Sequence, residues 1–315
     1  MTIQTRKIGV LAHPLRPQTF PLAHEIVGEL SQNGIETWVY TEWDANQVQA
    51  DIPGTDLVFA IGGDGAMLRA ARVCAPFSVP VMGVNMGQLG FLTEITDPAR
   101  WSEHLTRILA KDWWVERRMM LSVSVYRSGA LIATDHALND AVVSGDMFGR
   151  MMEFETDIDG HWTTTYFADA LVIATATGST AYALAIDGPI LPPELKNILI
   201  VPAAPHLSMD RPIVLSEGSV VEIRPSSRHA MVVTVDGSLM CELQAGDEVR
   251  VQASDDVSLF ARLRSHNYFY RSLLDRLEPR IRRGDRHERD GRPDQVDRPD
   301  QDESSDGRDH QRTEM

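Results

Sequence analysis

Hydrophobic and polar positions along the chain follow two different periods. Over roughly the first hundred residues, short apolar runs alternate with helically spaced stretches. Segments 7–11, 35–40, 56–61 and 80–85 predict strands. The third, DLVFAI, is so uniformly apolar that both its faces must be buried, as in a parallel sheet. Residues 19–33 predict a helix stopped by Gly34, residues 66–74 a second, and residues 97–112 a third. This alternation is that of a doubly wound, Rossmann-like α/β unit. Beyond it the texture changes to many short strands with few helices: 121–126, 131–136, 141–144, 151–158, 162–167, 171–175, 198–201, 219–224, 231–235 and 257–263. The dipeptides Asp159-Gly160 and Asp236-Gly237 have the chemistry of tight hairpin turns. An antiparallel β-sandwich is expected there, followed by an amphipathic helix over residues 268–277. The expected division is 1–115 (α/β), 116–265 (β-rich), 266–279 (a closing helix) and 280–315 (a charged tail).

Composition narrows the setting. The chain has 315 residues, 43% of them apolar and 24% charged, which suits about two globular domains. Residues 280–315 differ: nine arginines and eleven acids surround only three apolar side chains, Ile281, Val296 and Met315. Such a stretch buries too little surface to offset its ordering entropy, so a disordered tail is expected. The net charge of −15 disfavours a general nucleic-acid binder, whose backbone contacts need the opposite sign. Two cysteines, Cys74 and Cys241, make no disulfide framework and point to a reducing, cytoplasmic compartment. No apolar run approaches the length of a membrane span. Only three lysines occur, none in a G-x-x-x-x-G-K-[ST] loop. A phosphate site here must therefore use backbone amides, arginines or a metal.

Two segments have that character. Gly62-Gly63-Asp64-Gly65 joins a buried strand to a helix, where glycines let a phosphate approach the backbone and the helix N-terminus offers free N–H groups. A carboxylate in such a cradle repels an anion unless it binds a metal or takes a proton from an attacking hydroxyl. The plainer account is a tight turn whose Asp caps the helix. Thr177-Gly178-Ser179-Thr180-Ala181-Tyr182 likewise follows an apolar strand, and is expected to open another helix. Asn139-Asp140 is a third candidate, since an Asn side chain pairs with an adenine edge, though alone it reads as a common turn. His13, His206 and His266 have no partner at metal-ligand spacing, and Trp113-Trp114 reads as a packing anchor at a helix end.

As an ordered set these segments resemble the NAD kinase family. The resemblance runs from about Lys7 to Leu277 through GGDG at 62–65 with Arg69 in its helix, GVNMGQLGFLTE at 83–94, ALND at 137–140 and DALVIATATGSTAY at 169–182. RPIVL at 211–215 and VDG at 235–237 complete it. It implies phosphoryl transfer from ATP, with Mg2+ or another divalent cation, to the 2′-hydroxyl of the adenosine ribose of NAD. By this resemblance Asp64 is the proton acceptor, and Gly62, Gly63 and Gly65, with Arg69, face phosphate. Asn139, Asp140, Arg150, Asp169, Thr177, Thr180, Ala181 and Tyr182 contact the dinucleotide. Phe167 sits where bacterial members often carry Arg, and Ser238 where Gln is common. Ala170, Ala176 and Ile186-Asp187 are further departures beside the site. The family also implies a homodimer or homotetramer, and the acidic charge and short apolar runs lead us to expect no nucleic-acid or membrane partner. Two rival readings are a non-catalytic NAD(P)-binding homologue and a GGDG kinase of another substrate.

Overall fold

The computed structural model of the protein describes residues 6–42, 45–86, 90–97, 100–146, 151–206, 209–270 and 273. The expected tail, Arg150 and most of the expected closing helix lie outside them. Four strands open the chain: β1 (Lys7–Ala12), β2 (Glu36–Tyr40), β3 (Leu57–Ile61) and β4 (Val81–Val84). They run parallel in the order β2-β1-β3-β4. Helices α1 (Phe20–Gln32), α2 (Ala45–Val48), α3 (Asp64–Cys74) and α4 (Trp101–Leu109) connect and flank them. Ile26 and Leu30 of α1 and Leu105 and Ile108 of α4 pack with Phe59 on one face of the sheet. Met67, Ala70 and Cys74 of α3 pack with Val58 and Ala60 on the other. Both faces of β3 are thus covered, which is why no polar residue interrupts it.

The remaining strands build a sandwich. They are β5 (Trp114–Arg127), β6 (Ala130–Ala137), β7 (Asp140–Gly145), β8 (Met152–Ile158), β9 (His161–Ala168), β10 (Ala170–Thr175), β11 (Asn197–Ala203), β12 (Ile213–Ser216), β13 (Val220–Ser226), β14 (Met231–Val235), β15 (Ser238–Leu243) and β16 (Glu248–Arg262). Among the described residues β5, β6, β8, β9, β13 and β16 extend the first sheet, while β12-β11-β10-β7-β14-β15 form a second, wholly antiparallel one. Leu121, Phe154, Tyr166, Ile223 and Val251 from the first sheet meet Val143, Ile173, Ile200 and Val233 from the second. The turn residues Asp159, Gly160, Asp236 and Gly237 all have positive φ, near 54°, 76°, 47° and 77°, as two-residue hairpins require.

The seam is β16. One side of it pairs with β5 along nearly its whole length, with a register shift between Ala253 and Val257. The other side pairs with β13 at its start and touches β4 at its end, through Phe260 opposite Val81. One strand therefore belongs to both the parallel sheet and the sandwich. Tyr268 and Phe269 are buried within the same compact unit, Met1–Phe269.

Three expectations need correction. Thr177–Tyr182 opens no long helix; a 3-10 turn (Gly178–Thr180) leads into a single turn, α5 (Tyr182–Ala185), because Gly188 and Pro189 follow too soon for propagation. The helix expected over 97–112 spans Trp101–Leu109. Trp114 opens β5 instead of ending a helix: it stacks on His266 with ring centroids 3.8 Å apart and its indole N–H donates to the Arg264 carbonyl at 2.7 Å.

The sandwich core yields a first prediction. Phe154 is fully buried between the sheets, so Phe154→Ala is expected to cost about 3–5 kcal/mol of unfolding free energy, measured by chemical denaturation.

Candidate functional site

Three motifs far apart in the chain are knitted around one short turn, residues 138–140. Asp236 reaches it from the β14–β15 hairpin: its Oδ2 accepts from the Leu138 amide at 2.9 Å and its Oδ1 from the amides of Asn139 and Asp140 at 2.8 and 3.2 Å. The Asp236 amide returns a bond to the Asp140 carbonyl at 3.0 Å. From the other side the Thr175 hydroxyl donates to the Leu138 carbonyl at 2.6 Å, and the Thr175 amide to the Asn139 carbonyl at 2.8 Å. The Gly178 amide then donates to the Thr175 hydroxyl at 3.0 Å. The turns meet so closely that a Cβ at Gly178 would lie 2.1 Å from the Asn139 carbonyl oxygen.

Beside this knot lies a cavity of about 630 Å³ on the outer face of the second sheet. Asn139, Asp140, Asp169, Ala181 and Tyr182 line it, as expected from sequence. So do Leu68, Thr234, Asp236 and Ile186, which sequence reasoning had not placed among the contacts. Asp140 is buried in its wall, and burial, with the nearby Asp236 carboxylate, pushes its carboxyl up to about 7. A bond from the Tyr182 amide opposes the shift. Burial also raises Asp236, against the pull of its three amide donors.

Helix α3 contributes one residue to the cavity wall. Its residues 64, 68 and 72 share one face at the spacing of successive turns. Leu68 lines the cavity. Arg69 is exposed, while Arg72 pairs with Asp135 and comes within 4.0 Å of Asp236, a residue of the cavity lining. The helical period from Asp64 was the signal that could have found it. Asp64 begins the helix, at the turn made by Gly62, Gly63 and Gly65. Its Oδ2 accepts from the Phe91 amide at 2.7 Å and its Oδ1 from the Leu92 amide at 2.9 Å. A Cβ at Gly90 would lie 2.0 Å from that Oδ1, so the glycine is what lets the 90–92 loop close on the carboxylate.

Other expected contacts stand off the cavity. Thr180 and Ser238 adjoin the lining residues Ala181 and Gly237 without lining it themselves, and Phe167 lies on β9. Thr177 is buried, with its hydroxyl 3.5 Å from Nη1 of Arg118. Arg150 falls outside the described residues. No group of three or more metal-ligating side chains occurs among the described residues.

Comparison with known proteins gives one family. Residues 22–113 match the ATP-NAD kinase N-terminal domain and residues 138–263 the ATP-NAD kinase C-terminal domain. A protein named NAD kinase from Dehalococcoides mccartyi (strain CBDB1) is 35% identical over 274 residues, covering 87% of this chain and 96% of the relative. Another, from Chloroflexus aggregans, is 39% identical over 274 residues, covering 86% and 98%. The fold is shared with yeast NADH kinase, solved with NADH: TM-score 0.77, 23% identity, 88% of each chain. An NAD kinase from Archaeoglobus fulgidus solved with ATP gives a TM-score of 0.67 at 23% identity, covering 85% of this chain and 97% of the other.

Two predictions follow from the cavity wall. Asp140 holds its proton in the folded state up to about pH 7, whereas its ordinary value is 3.8. Between those limits the unfolded chain loses a proton that the folded one keeps, so stability falls as pH rises, and the loss is complete above 7. Thermal denaturation from about pH 4 to 8 should therefore show a smaller decline for Asp140→Asn than for wild type; equal declines would assign the titration elsewhere. Gly178→Ala forces the two turns apart and is expected to cost about 1–3 kcal/mol, read by denaturant titration.

Proposed function

The chain belongs to the NAD kinase family, and on that premise we propose how its site divides the work. The protein is an ATP-dependent kinase that phosphorylates NAD to NADP. In our reading NAD occupies the cavity, with its adenosine end held by Asn139, Asp140, Asp169 and the Thr180–Tyr182 turn. Asp64 takes the proton from the ribose 2′-hydroxyl as that oxygen attacks the γ-phosphorus. The bond from that phosphorus to the bridging oxygen breaks as the new ester forms, and ADP leaves. What supports this reading is the placement of Leu68 in the cavity wall: Asp64 lies one turn earlier on the same face of α3. The amides of Phe91 and Leu92 use one acceptor direction on each Asp64 oxygen, and a carboxylate retains others for a hydroxyl proton.

The triphosphate would lie along the Gly62–Gly65 turn, at the N-terminus of the eleven-residue α3, where amides and the helix dipole favour an anion. A divalent cation would offset charge between the phosphates. The residues fit a metal that arrives with ATP and keeps water and phosphate oxygens as ligands, with Asp64 as the protein carboxylate at hand, better than a resident all-protein cage. Both cysteines are free, which supports a reducing, cytoplasmic setting, and no helix among the described residues is long and apolar enough to cross a membrane. Assembly as a homodimer or homotetramer is part of the proposal. The exposed Trp162 on β9 and Leu239 on β15 support it, and sedimentation of the purified protein tests it.

The decisive assay measures NADP formation from Mg-ATP and NAD, and NADPH formation from NADH. Asp64→Asn is expected to lower kcat about 10²–10⁴-fold while NAD binding, followed by calorimetry, stays within a few-fold. Undiminished turnover in that variant would remove Asp64 from the chemistry.

A further inference from the structure

Leu92 is engaged at both ends of its backbone. Its N–H donates to Oδ1 of Asp64 at 2.9 Å, and its carbonyl accepts from Nη1 of Arg262 at 2.9 Å. The neighbouring Phe91 amide holds the other Asp64 oxygen at 2.7 Å. Arg262 itself is wholly buried near the end of β16 and does not line the cavity. Its guanidinium is fixed on several sides. Nε donates to Oε2 of Glu116 at 2.7 Å, and Nη1 also reaches Oε2 of Glu94 at 3.2 Å. The plane lies 5.0 Å from the ring centroid of Phe260 and 4.9 Å from that of Tyr268.

Each anchor of Arg262 is itself tied down. Glu116 accepts from Nη2 of Arg118 and from the Tyr268 hydroxyl, both at about 3 Å. Glu94 accepts from the Leu263 and Arg264 amides at 2.9 and 2.7 Å. A planar fork held this way presents Nη1 to the Leu92 carbonyl in one direction, which a lysine ammonium on a flexible stem does not reproduce.

We infer that Arg262 is a positioning residue for Asp64: it fixes the Leu92 peptide, and that peptide fixes the carboxylate. Arg262 touches neither NAD nor ATP and acts on the proton-transfer step alone. A displacement of about 1 Å at the reacting group can cost roughly 10²-fold in rate, so a loosened Leu92 carbonyl should register in kcat and leave the dinucleotide's grip unchanged.

The inference rests on the reading of Asp64 as proton acceptor, and a double-mutant cycle separates the two. Wild type, Arg262→Lys, Asp64→Asn and the double variant are assayed for NADP formation from Mg-ATP and NAD, with folding checked by circular dichroism. Arg262→Lys is expected to lower kcat roughly 10²-fold with KM for NAD within about twofold. In the Asp64→Asn background the same change should alter kcat by less than about twofold, because the group it positions is gone. Equal losses in both backgrounds, or a rise in KM without a fall in kcat, would overturn the role of Arg262 while leaving that of Asp64 intact. Full activity in Asp64→Asn alone would instead sink the reading of Asp64, and with it this inference. If residual Asp64→Asn turnover is too slow to measure, the split between kcat and KM decides. Should Arg262→Lys not fold, Arg262→Met replaces it in the cycle, and hydrogen exchange is followed at Phe91 and Leu92 in the wild-type protein. Protection of both amides is expected; free exchange there would overturn the linkage whatever the variants do.

Discussion

The structure depends on a cluster of charges sealed at the seam between its two halves. Glu116 and Arg118 from β5, Arg262 from β16, Glu94 from the loop after β4, and Tyr268 after the last strand meet there with almost no exposure to solvent. Bringing such groups out of water costs several kcal/mol each, and the cost is met only where every partner is in place. Here the partners come from segments that must all have folded: the parallel sheet, the sandwich and the chain beyond Leu263. Burial works against the charge on Glu116, yet Arg118 and Arg262 outweigh it and hold its carboxyl below the usual value. The cluster thus reports completion of the fold, since removing one member strands the charge of another.

The functional knot uses a different economy, built from short backbone contacts and few charges. Asp236 offers its two oxygens to three consecutive amides, so it organises the 138–140 turn before any ligand arrives. Asp140, on the same turn, faces the cavity with a carboxyl that burial keeps largely protonated below neutrality. A cavity wall with fewer ionised acids suits an anionic dinucleotide better than the chain's overall charge of −15 would suggest.

Much of this was legible in the residues. DLVFAI announced a strand covered on both faces, the two Asp-Gly turns fixed hairpins, and the change in texture along the chain announced an antiparallel sandwich. Asn139, Asp140, Asp169 and Tyr182 were found as motif members and do share one cavity. What escaped has physical reasons. The edge strands β12 and β15 are short and half exposed, so their apolar signal is weak. The length of β5 was hidden by Glu116, Arg117 and Arg118, which give no apolar signal although two of them are buried. Pairing between Glu116 and Arg262, 146 positions apart, leaves no local pattern. Arg72 escaped because motif spacing, and not helical phase, guided the choice of contacts.

The shared strand β16 also governs the order of events during synthesis. Among the described residues, the Gly83 carbonyl and Asn85 amide at the outer side of β4 pair with Glu94 and Ile95, and Val81 pairs with Phe260, which leaves the ribosome after nearly the whole sandwich has been made. At about 5–20 residues per second, the Val81 end of that edge waits on the order of ten seconds for its partner. Such an edge is where a neighbouring nascent chain can add a strand. The parallel sheet and the sandwich are therefore joined only when the last strand has been made.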